Sequence, residues 1–370
     1  MMEYRNLGRI IWIATIAITL FGLVTIYSAS AHNVRVSQSI FFQQLICALV
    51  GFAIMFLLSY FDYRKFYDIA YVLYGISILL LIAVLILGRD ILGAKRWIEI
   101  GFFNFQPSEL AKLAVIFALG RYFSGQRPAH DFDIRGRKEV LWRDLFFPFM
   151  LTVIPALFVF KQPDLGTAIL IFGIFLVMLF VSEIEYRYFF SFLGGCLALL
   201  PFLWHFMKPY QKDRLLVFLN PNIDPLGAGY TIIQSKIAIG SGRLFGKGWQ
   251  AGTQNQLNFL PERHTDFIFS VIGEEWGLLG TLFFTACFFI LIICCFNVAQ
   301  QTKDKFGMMV AIGMVTILTL QVVINIGMVL GLFPIVGIPL PLVSYGRSSF
   351  LMFVFILGFL LNLSKRKSVF

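Results

Sequence analysis

An all-α polytopic membrane protein is the fold class this sequence predicts, with about ten transmembrane helices and a large extracytoplasmic loop between the seventh and eighth. Three observations carry that prediction. Of 370 residues, 59% are hydrophobic, 17% are aromatic and only 14% are charged, against about 25% charged in a soluble domain. The apolar residues fall into long runs, and a helix needs roughly 20 of them to cross a bilayer. Those runs do not alternate, as the strands of a membrane barrel would. A soluble enzyme, a disordered chain and a disulfide-stapled secreted domain are excluded.

The runs, in order, are Arg9–Tyr27, Ile40–Tyr60, Ile69–Leu87, Ser108–Phe123 and Leu145–Phe160. Ala168–Val181, Tyr188–Met207, Phe267–Val298, Met308–Leu332 and Val343–Leu363 follow. Each is expected to be helical, because a helix satisfies its own backbone polar groups in lipid. The first is too long for the apolar stretch of a cleavable signal. The eighth exceeds one span by about ten residues, so its first part, with Glu274 and Glu275, is expected to bend or re-enter.

Positive charge sets the orientation. With the N-terminus inside, the inner segments collect Arg5, Arg9, Arg64, Lys65, Arg121, Arg127, Arg135, Arg137, Lys138, Arg143, Arg187, Lys303, Lys305, Lys365, Arg366 and Lys367. The short outer loops hold only Arg35, Arg89, Lys95, Arg96, Lys161 and Arg347. The prediction is both termini in the cytoplasm and the long segment 208–265 outside. The net charge of +10 is then an orientation signal beside anionic lipid, and no nucleic-acid partner is implied. All five cysteines (Cys47, Cys196, Cys287, Cys294, Cys295) lie in apolar runs and read as packing residues.

Polar residues gather on the outer side. Glu109 and Lys112 are three apart on the fourth helix and share a face; they read as a pair orienting two helices, as the wall of a substrate cavity, or as both. Lys95-Arg96-Trp97 would contact a phosphate or anchor in lipid headgroups. Asp164 would cap the sixth helix or face a substrate. The long loop repeats glycine around Gly240–Gly248, without the spacing of a nucleotide-binding loop, so no nucleotide is expected. Its Arg243 and Lys247 are candidates to meet an anionic substrate. Asp266 stands where the polar loop enters an apolar helix, and reads as a carboxylate at the mouth of the bundle or as a helix cap. No internal repeat argues for an inverted-repeat transporter.

Several motifs in order carry a resemblance. Phe105-Gln106-Pro107-Ser108-Glu109-Leu110-Ala111-Lys112, Gln162-Pro163-Asp164-Leu165-Gly166-Thr167 and Asp224–Tyr230 are followed by Gln234–Gly242 and Leu260–Phe269. Along nearly its whole length the chain resembles the RodA/FtsW/SpoVE family of cell-shape, division and sporulation proteins. Gly252-Thr253-Gln254 and Pro261-Glu262-Arg263-His264 are more like its elongation branch. One departure is Arg347, where the family usually has glycine in Ser344-Tyr345-Gly346-Arg347-Ser348.

The resemblance implies a single transmembrane domain over residues 1–370 in the bacterial cytoplasmic (inner) membrane. It implies a peptidoglycan glycosyltransferase that polymerises lipid II into β-1,4 glycan for cell-wall elongation and cell shape. It implies Asp266 as the essential catalytic residue, a cavity lined by Glu109 and Lys112, and involvement of Arg96 and Asp164. The implied partner is a class B penicillin-binding protein. Deprotonation of an acceptor hydroxyl suits a carboxylate base, and the pyrophosphate leaving group wants cations from Arg, Lys or a divalent ion such as Mg or Mn. No organic cofactor is expected. A lipid II flippase and a non-catalytic scaffold for the transpeptidase are the competing readings. Asp164, Glu262 and Glu274 are the next candidates should Asp266 not be the base.

Overall fold

The computed structural model describes residues 4–30, 34–91, 94–100, 103–125, 141–182, 184–207, 209–224 and 227–365. Gly93, Pro225 and Leu226, near or within the motifs above, lie outside these ranges, as do the basic residues Arg127, Arg135, Arg137, Lys138, Arg366 and Lys367.

Each of the ten apolar runs is a helix. They are α1 (Tyr4–Ala29), α2 (Val34–Leu58), α3 (Lys65–Leu87), α4 (Pro107–Ser124), α5 (Leu141–Lys161), α6 (Leu165–Val181) and α7 (Tyr186–Phe206). After the long segment 208–265 come α11 (Ile268–Gln301), α12 (Lys305–Val329) and α13 (Arg347–Lys365). Among the described residues, six helices (α1, α2, α3, α11, α12 and α13) are long and apolar enough to cross a membrane, and α5 and α6 contain shorter apolar stretches. One apolar core runs from Leu7 on α1 to Leu363 on α13. Around it, α2 leaves Ile46 61% and Leu49 64% exposed, and α3 leaves Leu87 76% exposed. Apolar surface on this scale needs lipid rather than water around it.

Prolines occupy helix interiors, as lipid-embedded helices tolerate. In α5, Pro148 and Pro155 interrupt the ladder, and the Thr152 hydroxyl donates to the Pro148 carbonyl at 2.9 Å. In α4, Pro107 occupies the first turn, where its missing N–H costs nothing.

One segment departs from the all-α expectation, and another, expected as a loop, is largely helical. Three short strands, β1 (Arg89–Ile91), β2 (Ala94–Ile100) and β3 (Phe103–Phe105), pair antiparallel in that order. Ile98 pairs with Phe105 and Asp90 with Lys95. The alternation of charged with aromatic and β-branched residues in Lys-Arg-Trp-Ile-Glu-Ile suits a strand, although the run is too short to stand out. The segment 208–265 holds α8 (Pro209–Leu219), a 3-10 turn (Pro221–Ile223), α9 (Ala228–Ser241) and α10 (Thr253–Gln256).

The expected bend in the eighth run is a break at Gly277, where φ is +63° and ψ −161°. A break there removes the helical bonds from the N–H groups of Leu278 and Leu279 to the carbonyls of Glu274 and Glu275. The 243–248 segment replaces both. Lys247 and Gly248 donate to the Glu274 and Glu275 carbonyls, each at 3.0 Å, while Leu278 and Leu279 donate to the Arg243 and Leu244 carbonyls at 2.8 and 3.1 Å. Such an approach needs glycine on both sides. A Cβ on Gly277 would lie 2.3 Å from the Gly246 nitrogen, and one on Gly246 would lie 2.1 Å from the Glu275 carbonyl oxygen.

Candidate active site

Asp266 lies in the turn Pro261–Phe267 that leads into α11. The N-cap of α11 is Phe267, and no side chain caps it. Asp266 therefore does not serve as the helix cap that its position in the sequence allowed. Its main-chain carbonyl accepts from Asn325 Nδ2 at 2.8 Å, whereas its carboxylate accepts no hydrogen bond among the described residues. The flanking backbone is firmly held. The Ser344 hydroxyl donates to the Thr265 carbonyl at 2.5 Å, and the Tyr345 N–H donates to the His264 carbonyl at 2.9 Å. Beyond the carboxylate stands Gly337, whose φ is +69° and whose Cβ, were there one, would lie 3.5 Å from Asp266 Oδ2.

Burial pushes the Asp266 pKa from its ordinary value of 3.8 up to about 7. The neighbouring carboxylates of Glu262 and Asp164 push in the same direction, and the guanidinium groups of Arg214 and Arg96 oppose them. A carboxylate so placed, with free lone pairs and a pKa near neutrality, suits a general base.

The other expected residues fall into two groups. Arg96 and Asp164 sit close enough for their charges to act on Asp266. Arg96, on β2, donates through Nε to the Gln162 carbonyl at 3.0 Å and through Nη2 to the Pro163 carbonyl, pinning the α5–α6 turn. Asp164 caps α6, accepting from the Thr167 N–H at 3.1 Å and the Thr167 hydroxyl at 2.9 Å. Gln106 Nε2 also approaches it at 3.5 Å. Asp164 is thus a cap and a site neighbour at once. Glu109 and Lys112 form the expected ion pair at 2.8 Å, both buried. Among the described residues the second oxygen of Glu109 has no hydrogen-bond partner, and Lys112 Nζ reaches Gln321 Oε1 on α12 at 3.5 Å.

Lys247 and Arg243 belong elsewhere, on the segment laid across the α11 break. Lys247 Nζ is committed to Glu274 at 2.7 Å and to the Thr253 hydroxyl at 2.9 Å. It neutralises a carboxylate that is 0% exposed. Arg243 lies in the left-handed region, φ +50°, and is exposed in an open depression of about 720 Å³ lined by Ser241–Lys247. Arg347 begins α13 half-buried, with its carbonyl 3.6 Å from Cys47 Sγ on α2.

Sequence reasoning missed Arg214 and Asn325. Arg214, on α8, donates to the Ile335 carbonyl in the turn beside Asp266 at 3.3 Å. No motif marked it. Asn325 did carry a signal, because an amide inside an apolar run is expensive unless it is paired. Among the described residues there is no group of three or more His, Cys, Asp or Glu that could hold a metal ion. Mg²⁺ commonly takes only one or two protein carboxylates, with substrate phosphates completing its shell.

The profile of the FtsW/RodA/SpoVE cell cycle proteins matches residues 8–369. The peptidoglycan glycosyltransferase MrdB of Escherichia coli (strain K12) is 39% identical over 355 residues, which cover 96% of this chain and 92% of that protein. A solved chain of a peptidoglycan synthase complex that coordinates polymerization and crosslinking superposes with a TM-score of 0.80, at 32% identity and 96% coverage of both chains. A variant of the Thermus thermophilus rod shape determining protein RodA superposes at 0.70, with 31% identity and the same coverage. With a match over nearly its full length and apolar helices throughout, this chain is a multi-pass membrane protein of the FtsW/RodA/SpoVE family.

Proposed function

We propose that the chain is a peptidoglycan glycosyltransferase that polymerises lipid II into β-1,4 glycan strands for cell-wall elongation and cell shape. The observation that carries this reading is the Asp266 carboxylate, half-buried at the end of the outer segment, without a hydrogen-bond partner among the described residues and with its pKa raised to about 7. The names of the relatives support the activity.

Asp266 takes the proton of the acceptor sugar 4-hydroxyl as that oxygen bonds to the anomeric carbon of the lipid-linked glycan. The bond from that carbon to the pyrophosphate oxygen breaks, and polyprenyl pyrophosphate leaves as an anion. Attack opposite the leaving group inverts the centre, turning an α-linked donor into a β-linked polymer. The leaving group needs no second carboxylic acid, unlike the alcohol released in glycoside hydrolysis. Arg96 and Arg214 supply positive charge beside the base. A divalent ion of the Mg or Mn kind would add charge for the pyrophosphate, held by one carboxylate and the substrate's own oxygens.

The chain sits in the bacterial cytoplasmic membrane as a single domain of ten spans, both termini inside and residues 208–265 outside. The partner is a class B penicillin-binding protein that cross-links the product. The complex described for the structural relative supports that partnership.

The test is glycan polymerisation from purified lipid II by the chain with its transpeptidase, wild type against Asp266→Asn. Loss of polymer in a folded variant supports the base. Equal polymer from both refutes it. Headgroup translocation without polymer from the wild type would replace the enzyme with a flippase.

A further inference from the structure

Two amides on α12 hold the backbone on either side of the Asp266 carboxylate. Gln321 and Asn325 are four residues apart, hence on one face of the helix, and both are fully buried. Asn325 Nδ2 spends its two protons on the Asp266 carbonyl at 2.8 Å and the Ile338 carbonyl at 2.7 Å. Gln321 Nε2 donates to the next carbonyl, that of Pro339, at 3.0 Å. Between Val336 and Ile338 lies Gly337, the backbone that faces Asp266 Oδ2. The distance from that wall to the carboxylate is therefore set by α12, through three hydrogen bonds.

The orientation of Gln321 is itself determined. Lys112 Nζ stands 3.5 Å from Gln321 Oε1 and 2.8 Å from Glu109 Oε1. A primary amide offers an acceptor at one end and donors at the other. Turning it over would set NH₂ against an ammonium group and oxygen against a carbonyl, both repulsive in a dry interior. The cation thus keeps the NH₂ group pointed at Pro339.

We propose that Gln321 and Asn325 are positioning residues for Asp266, and that Lys112, with Glu109 as its counter-ion, acts through Gln321 by fixing the direction of its amide. This rests on the reading of Asp266 as the base. It gives the buried ion pair a task that requires no contact with substrate, and it joins α4, α12 and the turn after α12 into one support for the carboxylate.

The test measures polymerisation by the complex of the full chain with its transpeptidase, using purified lipid II. The variants are Gln321→Met, Asn325→Ser and the neutral double replacement Glu109→Gln/Lys112→Met, which leaves no buried charge alone. A misplacement of about 1 Å costs on the order of a hundredfold in rate. The expected result is a kcat lower by tenfold to a hundredfold in each (about, by the same reasoning), with KM for lipid II unchanged.

The neutral double replacement should have no further effect on the Gln321→Met background, because both act on one amide. The acid limb of the pH–rate profile should also move to lower pH in Asn325→Ser as the loosened wall admits water. Glu262, Asp164, Arg214 and Arg96, the charged groups facing Asp266, are unaltered in these variants. A merely structural role would lower the yield and melting temperature of the complex but leave kcat and the profile alone.

Wild-type kcat in both folded amide variants would overturn the proposal. So would effects of Gln321→Met and the charge replacement that multiply with a rise in KM, which would put Lys112 on the substrate. Should Asn325→Ser not assemble, Asn325→Asp keeps the shape while removing both donors, and its kcat decides. Asp266→Asn in parallel separates the failures. Full activity there would sink the base and this proposal together, whereas an inactive Asp266→Asn beside fully active amide variants would sink only the positioning.

Discussion

Asp266 and Glu274 are two carboxylates eight residues apart around the start of α11, and the chain treats them oppositely. Glu274 is saturated: Lys247 Nζ, the Thr253 hydroxyl and the Gln254 N–H meet one oxygen, and the Asn255 N–H meets the other. Among the described residues none donates a hydrogen bond to the Asp266 carboxylate, although the backbone around it is pinned by Asn325, Ser344 and Tyr345. A group that holds a fold together spends its lone pairs on protein. A group that does chemistry is fixed through its backbone and leaves its lone pairs for a substrate. By that measure Glu274 is a poor substitute base, and Lys247 a poor phosphate ligand.

Replacing each carboxylate should break this contrast in different observables. Asp266→Asn should lower polymerisation by about 10²- to 10⁴-fold, the usual contribution of a general base, while the protein still folds. Its fold should even gain. The native pKa is raised from 3.8 to about 7, so the folded state holds the proton more tightly than the unfolded one. Wild-type stability is then lost as pH rises across that interval. The melting temperature of Asp266→Asn relative to wild type should climb with it.

Lys247→Ala should act on stability instead, leaving a fully buried carboxylate without its cation at a cost of about 3–5 kcal/mol. Denaturation of the purified complex measures it. A variant that stays stable yet loses activity would return Lys247 to the substrate.

Smaller effects sharpen the comparison. Gly277→Ala forces a side chain into φ +63° and against the Gly246 nitrogen. The backbone strain alone is worth about 1–3 kcal/mol, readable as a lower unfolding midpoint. At Asp266 the pH–rate profile should have its acid limb near pH 7, with activity rising as the carboxylate ionises. Arg214→Ala removes a cation that favours the ionised form and should move that limb to higher pH. Glu262→Gln removes a like charge and should move it to lower pH. An unchanged limb in both would mean that another group titrates.

Much of this was legible in the sequence for physical reasons. Each long apolar run became a helix because lipid leaves the backbone no alternative. The three-residue spacing of Glu109 and Lys112 gave their pairing directly, and Pro107 and Asp164 marked helix starts. The strands β1 to β3 were hidden because two of them have three residues each. The commitment of Lys247 to Glu274 spans 27 positions, and that of Arg214 to Ile335 spans 121. No local pattern encodes contacts made by chain crossing. The glycines of the long segment stand out in the sequence, but the surface that Gly246 approaches, the broken helix, appears only in three dimensions.

That broken helix carries its own gauge. The N–H groups of Leu278 and Leu279 are bonded to the Arg243 and Leu244 carbonyls rather than to their own helix, so they keep their protons from deuterium only while the 243–248 segment is seated. Most other amides of α11 are sealed by the helix itself. The exchange rates of these two report how often the 243–248 segment lifts from the bundle, and any partner that grips or releases it will be visible at two named positions.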